Sequence, residues 1–175
     1  MLGRGTLGWL VCAALALSAC GGRGGSAVTL PNGNKVAIMV YLDRGVTAET
    51  PADKAQQLNQ LADWLGQDLV DILRGTGYDA TLIASKDVPT EVGRYVLHTT
   101  IKDYNAGNRA ARAFVGFGAG AARLDTEFEL IGPAGQVYVK GVPSAGTSRA
   151  DWKHVARKIN LETVDTVNAR LRSGL

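Results

Sequence analysis

The chain predicts an α/β (α+β) domain, a two-layer sandwich in which a mixed five-stranded sheet carries two amphipathic helices in the order β-α-β-β-β-β-α. Three observations carry this prediction: an apolar run followed by leucines at helical spacing, later stretches that alternate with period two, and a closing stretch that returns to helical spacing. One βαβ crossover followed by antiparallel pairing is the topology this order favours.

The apolar run KVAIMVYL, residues 35–42, lies between NGN and DRG, which marks a strand buried on both faces near the sheet centre. A helix follows, with Thr50 as the expected cap, Pro51 in the first position and Asp53 where a carboxylate favours the helix amino end. Leu58, Leu61, Leu65, Leu69 and Ile72 form its apolar stripe, and Gly75 or Gly77 ends it.

DATLIAS reads as a short strand. In residues 93–107 a longer strand sets Tyr95, Leu97, Thr99 and Ile101 against Val96, His98, Thr100 and Lys102, so one of its faces is wetter. RLDTEFELIG alternates Leu124, Thr126, Phe128 and Leu130 with Arg123, Asp125, Glu127 and Glu129, and QVYVKGV after GPAG completes a hairpin. The last helix has Ser148 as expected cap and Asp151 three residues on, with Trp152, Val155, Ile159, Thr163, Val167 and Leu171 along one side. Two helices cover one face of the sheet. The other face is then polar, covered by residues 107–122, or buried against a partner.

With 175 residues, 46% hydrophobic and 20% charged, the chain builds one core. Its first residues stand apart. Arg4 precedes an apolar and small-residue run from Thr6 to Ala19, shorter than the roughly 20 residues of a membrane span and of the length of a signal-peptide apolar region.

LSAC, Leu17 to Cys20, resembles the bacterial lipobox. The resemblance implies diacylglyceryl transfer to the Cys20 thiol, cleavage just before it, and acylation of the new amino terminus. Gly21 and Gly22 stand where inner-membrane lipoproteins of enteric bacteria commonly carry aspartate, which points to the outer membrane facing the periplasm. Two or three acyl chains hold stably where one holds marginally.

Residues 1–19 are thus the expected lipoprotein signal peptide, 20–34 the lipidated cysteine with a flexible tether, and 35–175 a single periplasmic domain. The fourteen residues from Gly21 to Asn34 reach roughly 20 Å as a random coil. Cys12 leaves with the signal, so no thiol remains for a disulfide, a metal or a nucleophile.

Loss of Arg4 turns 19 basic residues into 18 against 16 acidic ones, a net charge of +2. The basic residues are dispersed along an exported chain, which argues against nucleic acid as partner.

GNRAARAFVGFGAG, residues 107–120, poses the question of phosphate binding. A P-loop requires a lysine followed by Ser or Thr after the glycines, and none is present. Gly116, Gly118 and Ala121 match G-x-G-x-x-A only formally, because the residues that follow alternate as a strand and no helix opens there to meet a pyrophosphate. Two readings remain. Either the small residues permit close backbone approach, or Asn108, Arg112, Phe114, Gly116, Phe117, Gly118 and Gly120 form an interaction segment, with Gly116 and Gly120 as a G-x-x-x-G pair.

The stretch DYNAGNRAARAFVGFGAGAARLDTEFELIGPAGQVY resembles the signature of the bacterial lipoprotein family classed as domain of unknown function 4410. The matching positions are Gly107, Asn108, Arg112, Gly116, Phe117, Gly118 and Gly120, with looser similarity from Lys35 to Leu171. The resemblance implies a small envelope lipoprotein and brings no catalytic residues.

His98 and His154 are the only histidines, sit on different predicted elements, and are expected to be exposed. Asp63, Asp68 and Asp71 read as a solvated helix face, and Glu127 with Glu129 as charges on a wet strand face. No catalytic residue, metal site or cofactor is expected. The expected function is that of an outer-membrane-anchored periplasmic lipoprotein that binds or scaffolds another envelope component, with self-association as one form of it. The alternative is a ligand-binding accessory subunit of an envelope transport system, taking a small apolar or anionic ligand beside residues 107–120. An enzyme is not expected. The expected partners are the membrane, through the Cys20 anchor, and an envelope protein or a second copy of the chain.

Overall fold

The structure, a computed structural model, describes residues 27–87, 92–107, 121–147 and 151–174. Its elements are β1 (Ala37–Asp43), α1 (Ala52–Thr76), β2 (Asp79–Ile83), β3 (Arg94–Asn105), β4 (Ala122–Ile131), β5 (Val137–Gly141), β6 (Ser144–Thr147) and α2 (Trp152–Gly174). The sheet order is β2-β1-β3-β4-β5, with β6 also paired to β4. β1 is parallel to β2 and β3, and β4 is antiparallel to β3, β5 and β6. The α+β sandwich predicted from periodicity is the observed one, with one strand more.

That extra strand is β6. Its SAGT has no alternating apolar pattern, so pairing with Ala122 to Asp125 defines it rather than side-chain burial. β5 pairs with Phe128 to Ile131, so the two short strands share the outer edge of β4. Thr126 N–H donates to the Pro143 carbonyl at 3.0 Å where one gives way to the other.

The predicted alternations hold. Leu124, Thr126, Phe128 and Leu130 of β4 are buried under the helices, as are Tyr95, Leu97, Thr99 and Ile101 of β3. Val96 is an exception on the opposite face, buried between its cross-strand neighbours Met39 and Ile131 although Arg94 and His98, on either side of it along β3, are polar.

Both helix starts differ from expectation. α1 begins after Pro51 with no side-chain cap, because the Thr50 hydroxyl accepts the N–H of Thr47 at 2.9 Å instead. α2 is capped by Asp151, whose Oδ1 accepts the His154 N–H at 3.2 Å; Ser148 lies outside the described residues. α1 stops where expected. Gly77 adopts φ 115°, and its N–H reaches the carbonyls of Leu73 at 3.1 Å and Arg74 at 3.0 Å, a left-handed terminus that a side chain would strain. Leu58, Leu61, Leu65 and Leu69 are buried as predicted, but the next stripe position is Leu73, and Ile72 is only half-buried.

Two apolar clusters fill the layer between sheet and helices. The amino-end cluster gathers Val36, Ile38, Val40, Leu73, Tyr78, Tyr95, Leu97 and Leu171. The carboxyl-end cluster gathers Leu58, Leu61, Leu65, Ile101, Leu124, Val155 and Ile159. Each fully buried leucine contributes about 1.5–3 kcal/mol relative to exposure.

Polar contacts tie the helices together. Asp68, expected on a solvated face, is 8% exposed and accepts from Arg157 at 2.8 Å and from Asn160 Nδ2 at 3.0 Å. Asn160 Nδ2 also reaches the Leu65 carbonyl at 3.0 Å, and the Tyr78 hydroxyl donates to Asn168 Oδ1 at 2.6 Å. Asp68 is buried because α2 packs along that flank of α1 and supplies donors for its carboxylate.

The tether expected through Asn34 is shorter than its composition implied. Ala27 N–H donates to the Thr76 carbonyl at 2.9 Å, Thr29 pairs with Lys35, and Ala27, Val28 and Leu30 rest on the amino-end cluster.

Candidate functional site

Cys20 and the segment containing Asn108, Arg112, Phe114, Gly116, Phe117, Gly118 and Gly120 lie outside the described residues. The points from which that segment leaves and returns are defined. Asn105 at the end of β3 is the register partner of Arg123 near the start of β4. Gly107 N–H donates to Asn105 Oδ1 at 2.9 Å, and Ala122 is fully buried. The segment therefore joins two adjacent antiparallel strands at the carboxyl end of β3. Arg123 pairs with Asp125 at 3.0 Å, and Asp125 also accepts from the Ser144 hydroxyl of β6. The Ser144 hydrogen bond, with Arg123, holds the Asp125 carboxyl below its ordinary range.

Two crevices open at this end of the sheet. One, of about 580 Å³, lies where β1 and β2 end beside α1 and is lined by Tyr41, Asp43, Arg44, Asp63 and Leu82 among others. Arg44 reaches Asp63 at 2.9 Å and Asn59 at 3.2 Å. With side chains 51% and 69% exposed, that ion pair adds little stability but sets the crevice's polar wall. The second, of about 290 Å³, is lined by Thr47, Glu49, Lys54, Lys102, Asp103 and Tyr104 over Leu58 and Ile101. Gly45 lies between them at φ 64°, and a Cβ there would run into the Ile101 backbone oxygen, so the loop after β1 closes on β3 only as glycine.

The sheet face opposite the helices carries a cross-strand row of charge. His98 lies opposite Glu129, and Glu129 opposite Lys140; Lys102 meets Glu127 at 2.7 Å. The Lys102 hydrogen bond lowers the Glu127 pKa, and the same contact raises that of Lys102. His98 is half-buried rather than exposed, with its ring 5.1 Å from that of Tyr41. Burial pushes its pKa down and Lys86 adds to this, while Asp43, Glu129 and Glu127 oppose it. Thr100 Oγ1 is 3.3 Å from His98 Nε2. No carboxylate hydrogen bond to the imidazole is present among the described residues to orient it as a general base.

His154 is exposed on α2, so the two histidines do not converge. Among the described residues no three His, Cys, Asp or Glu side chains lie close enough to hold a metal ion. The arrangement offers recognition by shape and charge. Missing from the sequence reading were the buried Asn160 and Asn168, whose signal was available in retrospect: they stand eight apart, beside the apolar stripe of α2.

No curated protein matches the chain. Among solved structures, the dodecamer of a single-substitution PelC variant from Paraburkholderia phytofirmans is 20% identical with TM-score 0.50, covering 82% of this chain and 93% of that one. An uncharacterized protein is 15% identical with TM-score 0.44, covering 84% and 98%. At these identities the likeness to PelC is one of fold, and the second structure is too different in shape to carry argument. The family model described as Domain of unknown function (DUF4410) matches residues 26–169, which takes in nearly the whole folded unit, and the protein belongs to that family.

Proposed function

We propose that this protein is a non-enzymatic lipoprotein of the bacterial envelope, acylated at Cys20 and held at the outer membrane facing the periplasm, which works by binding other envelope components and copies of itself. The observation that carries self-association is the pair of open sheet edges. On one side β2 is paired with β1 alone among the described strands and leaves Leu82 48% exposed; on the other, β5 and β6 both pair inward to β4, and Val137 is 50% exposed. Unpaired edges are templates for another chain, and joining unlike edges head to tail forms a ring when the rotation closes. The dodecameric state of PelC, whose fold this chain shares, supports the same reading.

Light scattering on the chain from Gly21 onward should give a defined oligomer, and Leu82→Lys should reduce it to monomer with the melting temperature preserved. A wild-type monomer at the highest soluble concentration, with no self-crosslinks in cells, overturns the proposal. For the anchor, Cys20→Ser should abolish labelling by a clickable fatty acid.

A second reading, a ligand-binding accessory subunit of an envelope transport system, draws on the two crevices, since ligands of open α/β sheets bind outside the carboxyl ends of strands. Lys54 and Lys102 face Glu49 and Asp103 in the smaller one, a lining of balanced charge that suits a small polar ligand. A saturable thermal shift lost on Lys54→Ala would favour it.

A further inference from the structure

The end of the sheet at which the described chain begins differs in charge from the rest of the molecule. Ala27 is fixed to the carboxyl end of α1 through the Thr76 carbonyl, and Leu30 lies over Gly93 at the start of β3. Between Cys20 and Ala27 stand only the six residues 21–26. At about 3.5 Å per residue even a fully extended connection reaches roughly 25 Å. β3 alone, with 12 residues at about 3.3 Å each, runs roughly 40 Å to the opposite end. An anchor at Cys20 therefore holds the amino end of the sheet, and not the carboxyl end, close to the bilayer.

Among the described residues, 27–36, 74–79, 92–95, 131–138 and 168–174 form that end, and within these ranges Lys35, Arg74, Arg94, Arg170 and Arg172 stand against one acidic residue, Asp79. Asp79 and Arg94 flank Ala37 in the first row of the three parallel strands. Lys35, Arg74 and Asp79 share a crevice of about 520 Å³ with Asn34 and Tyr78. Arg172 lies close enough to Tyr78 to act on its hydroxyl electrostatically. Arg170 lies over the Tyr138 ring, 5.3 Å from its centroid. Val92, 86% exposed, and Val137 add apolar side chains at the same end.

We propose that this basic end is a membrane-apposed surface that rests on the anionic phospholipid headgroups of the leaflet holding the anchor. The proposal rests on the reading of Cys20 as acylated and adds the orientation of the domain. Charge complementarity names the occupant, and the short connection supplies its proximity. Seated this way, the strands stand away from the bilayer, both sheet edges face sideways toward other copies anchored in the same leaflet, and the two crevices at the carboxyl end of the sheet point into the periplasm.

The test is co-sedimentation of the unlipidated chain from Gly21, which retains every described residue, with vesicles of equal parts phosphatidylcholine and phosphatidylglycerol or of phosphatidylcholine alone. Binding is expected only to the first and should weaken with salt. Each basic residue neutralised should cost about fivefold in partitioning, so Lys35→Gln with Arg172→Gln should lose about 25-fold, and the triple Lys35→Glu, Arg74→Glu, Arg172→Glu more. Circular dichroism identifies variants that remain folded, and the double variant, made at two exposed positions, serves where the triple does not fold. Lys86→Glu with Lys158→Glu, exposed elsewhere, should bind as wild type. Equal binding to both vesicle types, a folded double variant that binds like wild type, or an equal loss in the Lys86/Lys158 control overturns the proposal. Fatty-acid labelling of the full chain in cells reports the anchor separately. Label without charge-dependent vesicle binding defeats the surface alone, and charge-dependent binding without label defeats the anchor alone.

Discussion

The two halves of the interior are finished differently. At the amino end the chain closes over its own core: Ala27, Val28 and Leu30 cover it, and Gly77 turns α1 directly into β2. At the carboxyl end the core side chains are as deeply buried, but the described residues around them are arranged differently. Trp64 and Trp152 are half-buried and meet edge to face with centroids 5.5 Å apart, two crevices open, and α1 starts without a side-chain cap. Charge divides the same way. Among the described residues five basic ones face one acidic at the amino end, whereas residues 43–54, 84–87, 102–107, 121–125 and 151–154 together carry six basic against seven acidic. The proposed seating on a lipid surface draws on this difference in charge, since each end has crevices of its own.

Breaking either cluster should have the largest effect. Leu65→Ala at the carboxyl end and Leu73→Ala at the amino end should each cost about 2–5 kcal/mol in urea unfolding, while exposed Asp63→Ala should stay within about 0.5 kcal/mol. If the halves form one cooperative unit, both leucine variants lower hydrogen-exchange protection throughout the sheet. Loss confined to the mutated half would show that they unfold separately.

The joint between the halves comes next. Asp68→Ala removes a charged acceptor from both Asn160 and Arg157 and should cost about 1–3 kcal/mol, much of it from leaving buried Asn160 without that acceptor. A change below about 0.5 kcal/mol would mean that water replaces the carboxylate.

Glycines sharpen the contrast between the ends. Gly45→Ala should cost about 1–3 kcal/mol because its φ of 64° and the Ile101 carbonyl oxygen both oppose a side chain. Gly77→Ala should cost about 1 kcal/mol, since the nearest atom to its Cβ is the Ala27 methyl at 3.2 Å, which belongs to a short hairpin able to shift. The reverse order in thermal melts would show that the amino-terminal hairpin is the more rigid of the two.

The smallest effect concerns His98. Its folded pKa lies below the ordinary 6.5, so the unfolded chain takes up the proton first. Stability should fall as pH drops from about 6.5 toward that depressed value, and His98→Gln should remove this part of the profile. The Glu127 contribution has the same sign in a lower window: it is present above the ordinary 4.5 and is lost as pH falls from there through the lowered value. An unchanged profile between pH 7 and 5 in the variant would mean that the imidazole is not desolvated enough to matter.

Features with a local period are legible in the chain before it folds. Buried Leu124, Thr126, Phe128 and Leu130 follow from alternation over β4, and buried Leu58, Leu61, Leu65 and Leu69 from helical spacing over α1, because each pattern puts apolar groups on one side of a single element. Gly77 ends its helix through a conformation only neighbouring residues have to satisfy. The glycine segment 108–120 is recognisable as a family signature, but the positions of its side chains lie outside the described residues. The remaining features arise only when distant parts of the chain meet. β6 exists because β4 offers backbone partners, Asp68 is buried because Asn160 and Arg157 come from another helix 89 to 92 positions away, and residues 27–34 leave solvent because Thr76 and the amino-end cluster receive them. Each of these depends on pairing between groups far apart in the chain, and hydrogen bonds and buried polar contacts of that kind leave no period in the sequence from which to read them.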